Sequence, residues 1–345
     1  MATWANWDAG WYASIAQHGY NRLNDINQAN TAFAPALPLL MRLASFILGP
    51  NASDEAVLVC GFVITNLALV VAMAYLVALV RLDFDPPTAA RAALYALVFP
   101  STLFLSAVYP HALFLAGAIG AFYHARRGQW WLAGALGALA ALARVQGCVI
   151  VVPLAFEYLA ARGFTWRRID REAATPVFTR RTWRGFDRDA VAPLLPLVSA
   201  GIFAVVLWLQ VGDPLAMLGA GSQWQRNFGA PWAPFVTYLR EGLGAHGSNT
   251  SPLDLAFTLL LIALVALSWI RVRASLALFA TLLLLISLSS GLLVSSMRYG
   301  LELFPIFIVL AISGRYRVFH YAYLGASGYL ALRFMSEFAQ SIWVA

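Results

Sequence analysis

Asp8 stands in the aromatic stretch Trp7-Asp8-Ala9-Gly10-Trp11-Tyr12. A carboxylate there can take the proton of an attacking hydroxyl brought within hydrogen-bond reach. Trp7, Trp11 and Tyr12 offer faces on which a sugar ring could stack, and the same rings would also suit a membrane interface. Arg144, Arg226 and Arg298 stand near the ends of apolar runs. A planar guanidinium matches a phosphate through paired, charge-assisted hydrogen bonds. Snorkelling to headgroups, or pairing with a carboxylate such as Asp213 or Glu302, is the structural alternative for these arginines. His111 opens a helix after Tyr109-Pro110, where a polar group reaches water. Gln223 and Trp224 fall in Gln223-Trp224-Gln225-Arg226, and Tyr299 follows Arg298. Together these residues describe a base, a set of phosphate ligands and a sugar-binding surface. Asp25 and Asp213 are the other acids that could act as the base.

The elements that position them are membrane helices. Of 345 residues, 61% are hydrophobic and 11% charged, which excludes a water-soluble domain. Runs at 57–80, 191–211, 253–270 and 274–295 approach or exceed the roughly 20 residues needed to cross a bilayer. They lack the alternation of strands, so the fold class is all-α and polytopic. The net charge of +7 comes from 23 basic residues, all of them Arg. Sixteen of the 23 fall in five loops: Arg81/Arg91, Arg126/Arg127, the basic loop of residues 162–190, Arg271/Arg273 and Arg315/Arg317. The positive-inside rule makes these loops cytoplasmic. The basic excess is therefore a topology signal and not a nucleic-acid footprint.

About ten crossings follow from that assignment. The expected spans are 57–80, 89–108, 111–125, 130–143, 148–161, 191–211, 253–270, 274–294, 300–313 and 319–334. The two short ones between Arg127 and Arg162 could instead form a re-entrant hairpin. The whole chain reads as one transmembrane domain, with residues 1–55 as a first outer loop and 212–252 as a second. Residues 33–48 are expected in or near the interface. This topology puts the N-terminus outside, so either the short tail crosses by itself or a further helix precedes it; the second is preferred. Cys60 and Cys148 both fall in apolar runs, which argues against a disulfide. No Gly-rich phosphate loop, His/Cys metal pattern, nucleophile elbow or internal repeat is present.

Five segments in order carry a resemblance: WDAGWYASIAQHGY with AFAPALPLLMR, FPSTLFLSAVYPHALFL, LARVQG, GDPLAMLGAGSQWQRNFGAPW and SSMRYGLELFPIFIVLA. They resemble the GPI mannosyltransferase 2 family and its prokaryotic homologues. The resemblance implies a glycosyltransferase of the GT-C superfamily. Such an enzyme moves a sugar from a polyprenyl-phosphate donor to a glycan or glycolipid acceptor at the extracytoplasmic face, with inversion. Asp8 matches the position of the family's acidic base, and Arg144, Arg226 and Arg298 fall in matching motifs. The sugar it implies is mannose. No metal or cofactor is expected, because the leaving group is already a lipid monophosphate. Partners are the lipid-linked donor, the acceptor and membrane lipids, not nucleic acid. The chain departs from the family pattern in two places. Pro110-His111 stands where the family has Ser/Thr-Glu, and the helix that usually precedes the WD motif is absent. A polytopic transporter or flippase, or a family member without activity, remains the alternative.

Overall fold

A computed structural model describes residues 2–21, 30–49, 52–164, 185–224, 226, 228–241, 252–342 and 344. Among the described residues, sixteen α-helices and several 3-10 turns account for the regular structure, and there is no strand. The N-terminal segment forms two helices, α1 (Ala9–His18) and α2 (Ala36–Leu48). The long helix α3 (Asp54–Val80) starts at Ser53, whose hydroxyl accepts from the backbone N–H of Ala56, and places Asp54 and Glu55 in its first turn. Both choices satisfy the exposed amides and the positive end of the helix dipole. Helix α4 (Pro86–Leu97) begins with Pro at its first position after Asp85. A hydrogen bond from the Thr88 hydroxyl holds the Asp85 carboxyl below its usual range.

Helix α6 (His111–Arg126) is the centre of the molecule, with 13 of its 16 residues buried. It packs against α3 and α7 (Trp130–Ala143). Small residues allow that approach: a Cβ added at Gly117 would lie 2.7 Å from the Leu136 carbonyl oxygen. Gly134, on the other side of α7, meets the Ala192 carbonyl in the same way. Close backbone contact through small residues is how membrane helices associate where lipid provides no hydrophobic drive. After a 3-10 turn at Val145–Ile150 come α8 (Val151–Ala161) and α9 (Leu195–Val211), followed by α10 (Ala216–Ala220) and α11 (Ala233–Glu241). The chain ends with α12 (Pro252–Arg271), α13 (Ala274–Ser289), α14 (Ser296–Gly300), α15 (Pro305–Ser313) and α16 (Arg317–Ala339).

The protein is all-α and an integral membrane protein. Three helical stretches among the described residues are long and apolar enough to cross a bilayer: Asp54–Val80, Arg188–Val211 and Pro252–Arg271. Four shorter apolar helices accompany them, at Ala36–Leu48, Trp130–Ala143, Val145–Ala161 and Ala274–Ser289. Several expected spans are interrupted. The run 89–108 is not one helix, because α4 ends at Leu97, and a turn leads to the short α5 (Leu103–Ser106). Pro100 has no N–H to give the helix and disfavours helical geometry at Phe99. The run 274–294 stops at Ser289, before Gly291 with φ +84°. The run 300–313 is divided between α14 and α15, with Pro305 restarting the second. Irregular backbone survives at such depth only where protein or a watered cavity covers it. The breaks at 98–110 and 290–304 lie where the polar residues gather.

The opposite end of α6 is bound differently. Arg126 makes two bonds of 2.7 and 2.8 Å to Asp83, and Arg273, before α13, makes two of 3.2 and 3.3 Å to Glu157 of α8. These pairs fix the loops at that end.

Candidate active site

Asp8 occupies the N-cap position of α1, where an aspartate ordinarily accepts from the helix amides. Here it makes no side-chain cap, and its Oδ2 instead accepts from Nη1 of Arg298 at 2.9 Å. The arginine is buried and the carboxylate is partly open. Asp8 Oδ1 carries no hydrogen bond among the described residues. The backbone before each partner is unusual, since Trp7 has φ +60° and Ser295 has φ +71°. Left-handed conformations at non-glycine residues cost about 1–3 kcal/mol each and persist where the surroundings over-determine them. Trp7 immediately precedes Asp8, and Ser295 caps the short helix that carries Arg298. The N-terminal segment is held there by neighbours. Tyr109 Oη receives the Asp8 amide at 3.2 Å and donates to the Asn6 carbonyl, and Asn6 donates to the carbonyl of Phe338 in α16.

A second carboxylate–arginine pair lies beside the first. Glu302, between α14 and α15, is 2% exposed. Its Oε1 lies 2.9 Å from His111 Nδ1 and 2.6 Å from Arg144 Nε. Its Oε2 accepts from Gln146 Nε2 at 3.0 Å. Arg144 is the residue on which α7 ends, in extended conformation, so its side chain leaves the helix axis toward this acid. Arg226 arrives from the segment between α10 and α11. It donates from Nη1 to the Ser290 hydroxyl at 2.9 Å and from Nη2 to the Val294 carbonyl at 3.1 Å, and has no ion pair among the described residues.

Tyr299 joins the two pairs. The guanidinium carbons of Arg144, Arg226 and Arg298 lie 5.5, 5.3 and 5.6 Å from its ring centre, within cation–π range. A cavity of about 110 Å³ opens there, lined by Arg144, Gln146, Arg226, Ser290, Tyr299 and Glu302, with an apolar wall that includes Leu261, Leu283, Leu284 and Leu303. Tyr12 is buried against Phe33 and feels the charges of Arg144, Asp8, Arg298 and Glu302. Burial pushes its phenol above the usual range, so at neutral pH it is a hydrogen-bond donor.

The structure thus gathers Asp8, Tyr12, His111, Arg144, Arg226, Arg298 and Tyr299 at one place. His111 is fully buried and faces Glu302, with no share in the cavity wall. Trp11 is stacked on Phe33, and Trp7 is exposed. Gln223 lies half-buried in a 3-10 turn (Gly221–Trp224), and the side chain of Trp224 lies outside the described residues. Among the alternative acids, Asp25 also lies outside them. Asp213 is exposed and accepts from the Leu215 amide of its own turn, so nothing ties it to the cluster. Sequence reasoning named Glu302 only as a partner for an arginine and did not single out Gln146. The available signal was an acid inside an apolar run, which by default marks function in a membrane protein.

The fold is similar over 99% of the chain to the Archaeoglobus fulgidus oligosaccharyltransferase in the apo form, with TM-score 0.49, 13% identity and 52% of that chain covered. A complex of the same archaeal enzyme with an inhibitory peptide and a dolichol-phosphate matches with TM-score 0.49 and 13% identity, covering 100% of this chain and 52% of that one. Among curated relatives, GPI alpha-1,6-mannosyltransferase 2 of Mus musculus is 34% identical over 152 residues, covering 42% of this chain and 29% of that protein. The protein of the same description from Cricetulus griseus is 31% identical over 183 residues, covering 50% and 35%. The chain spans about a third of the length of these relatives. The family model for mannosyltransferase (PIG-V) matches residues 1–165, which include Asp8, His111 and Arg144, while their partners Arg298 and Glu302 lie beyond it. Through residues 1–165, the chain is similar to the mannosyltransferase (PIG-V) family.

Proposed function

We propose that this protein transfers mannose from a polyprenyl-phosphate donor to a hydroxyl of a glycan or glycolipid acceptor, at the extracytoplasmic face and with inversion. The observation that carries this reading is an acid withdrawn from helix capping and paired with Arg298, which shares the Tyr299 ring with the two arginines that line the cavity. The family description supports the sugar. Charge supports the donor. The guanidiniums of Arg144, Arg226 and Arg298 outnumber the carboxylates of Asp8 and Glu302, which suits the single negative charge of a phosphodiester-linked sugar. In the displacement the acceptor oxygen bonds to the anomeric carbon as the bond from that carbon to the phosphate oxygen breaks. The acceptor proton goes to Asp8 Oδ1, and the electron pair leaves with the lipid monophosphate. The leaving phosphate gains negative charge as the bond breaks, and preorganised cations stabilise that change more than the ground state. Arg226 is the first ligand for it, because no carboxylate of the described residues holds its charge. Arg144 assists, and Arg298 contributes its charge across Tyr299 while it steadies Asp8.

The test is transfer by the detergent-purified protein from radiolabelled polyprenyl-phospho-mannose to a mannose-bearing glycolipid. Product formation with this donor and none with GDP-mannose is expected; transfer from the nucleotide sugar instead would overturn the donor assignment.

The face is tested separately. Arg126, Arg127 and Arg273 lie at the opposite end of α6 from Asp8, which under the positive-inside rule supports a site facing outward; residues 165–184 of the basic loop lie outside the described residues. In a variant with Cys60 and Cys148 replaced, a cysteine at Ser222 should react with an impermeant maleimide in intact cells. One at Arg127 should react only after lysis; the reverse pattern would put the site in the cytoplasm.

A further inference from the structure

We infer that Glu302 is a positioning residue, which fixes Arg144 so that one edge of its guanidinium is presented to an anionic group in the cavity. The inference rests on the reading of that cavity as the seat of a lipid-linked phosphate. A carboxylate with both oxygens engaged is poorly placed to act as a base, and Glu302 is in that state. His111 Nδ1 hydrogen-bonds Oε1 and Gln146 hydrogen-bonds Oε2, while Arg144 Nε lies against Oε1 as an ion pair without hydrogen-bond alignment. These contacts come from the start of α6, the end of α7 and the turn after it. Burying such an acid is costly unless it is paired and hydrogen-bonded, so the network is a fixed one. Its geometry decides what Arg144 offers. Nε faces Glu302, and Nη1 lies 3.4 Å from both ring nitrogens of His111. Nη2 makes no hydrogen bond among the described residues, and Arg144 lines the cavity. Its guanidinium stacks on the Tyr299 ring, which also bears Arg226. An anion between the two arginines would thus meet donors already oriented, with little ordering left to lose on binding.

The experiment measures binding of a short polyprenyl monophosphate, and of the matching neutral polyprenol, to purified wild-type protein, Glu302→Gln, Arg144→Gln and the double variant. Gln keeps the size of both side chains, and thermal stability is followed on each sample. Glu302→Gln is expected to weaken monophosphate binding about tenfold or more, because Arg144 loses the buried counter-charge that orients it, and to leave polyprenol binding unchanged. The double variant should bind no more weakly than Arg144→Gln alone, because both substitutions remove one device. That comparison stands even where Glu302→Gln alone fails to fold, since the double variant leaves neither member of the pair charged. Unchanged monophosphate affinity in folded Glu302→Gln would overturn the inference. A further loss from Glu302→Gln on top of Arg144→Gln would also overturn it, by showing that the acid acts apart from Arg144. Absence of monophosphate binding by the wild type would overturn the anion seat itself. Binding as expected without sugar transfer would leave the positioning role standing and sink the transferase reading.

Discussion

Asp8→Asn is expected to lower turnover per folded molecule by about 10²–10⁴-fold, the usual contribution of a general base. Asparagine keeps the size and can still accept from Arg298, but it cannot take the acceptor proton. Donor binding should change little, since a carboxylate makes no favourable contact with a phosphate. The ion pair adds a second effect. Removing the negative charge leaves the buried Arg298 without its carboxylate, so the thermal midpoint should fall as well. A fall in stability alone therefore does not distinguish catalysis from structure; turnover corrected for the folded fraction does. The measurement is initial rate at saturating donor and acceptor, with thermal stability and donor affinity on the same preparations. Near-wild-type turnover in the folded fraction would remove Asp8 as the base.

Arg226→Ala should raise the donor Kd by about 10- to 100-fold, since hydrogen bonds to charged groups are worth roughly 1.5–3 kcal/mol. Among the three arginines it is the one without a carboxylate partner among the described residues, so its charge is the most available to a ligand. Lysine in its place should recover only part of the affinity. A point charge cannot hold Ser290 and Val294 in the way the two Nη groups do. Acceptor affinity should remain close to that of the wild type. Direct donor binding to the Ala and Lys variants decides the matter, and an unchanged donor Kd in folded Arg226→Ala would exclude Arg226 from the phosphate site.

Apolar runs announced the helices well. The expected 130–143 and 253–270 correspond to α7 and α12 within a residue, and 111–125 to α6. What composition could not reveal was where a run breaks. Pro100, Gly291 and Pro305 each interrupt an otherwise suitable span, and a hydropathy average passes over a single residue. The site was legible to the same degree. Asp8 and the arginines could be named because their types and flanking residues suggested chemistry. Their partners could not, because pairing depends on tertiary packing. His111 and Glu302 are separated by 191 positions, and Asp8 and Arg298 by 290. No local period links residues so far apart. His111 shows the consequence. By sequence it departs from the family pattern, and in the fold it meets an acid 191 positions away. The substitution at that position therefore leaves a carboxylate in the neighbourhood.

That long-range pairing also bears on how the protein is made. Synthesis runs from the N-terminus, and Asp8 and Arg144 emerge long before Arg298 and Glu302. A charge presented singly to the hydrocarbon of a bilayer costs several kcal/mol, less where it can snorkel to an interface. The late α14–α15 turn brings one charge of each sign, and each meets a counterion already delivered by the earlier helices. Docking this turn neutralises Asp8 against Arg298 and Arg144 against Glu302 in one event, and seats Tyr299 beside Arg226. A nascent chain ending before residue 298 would hold Asp8 and Arg144 with neither of these counterions. The charge cluster can therefore close only after residue 302 has been made.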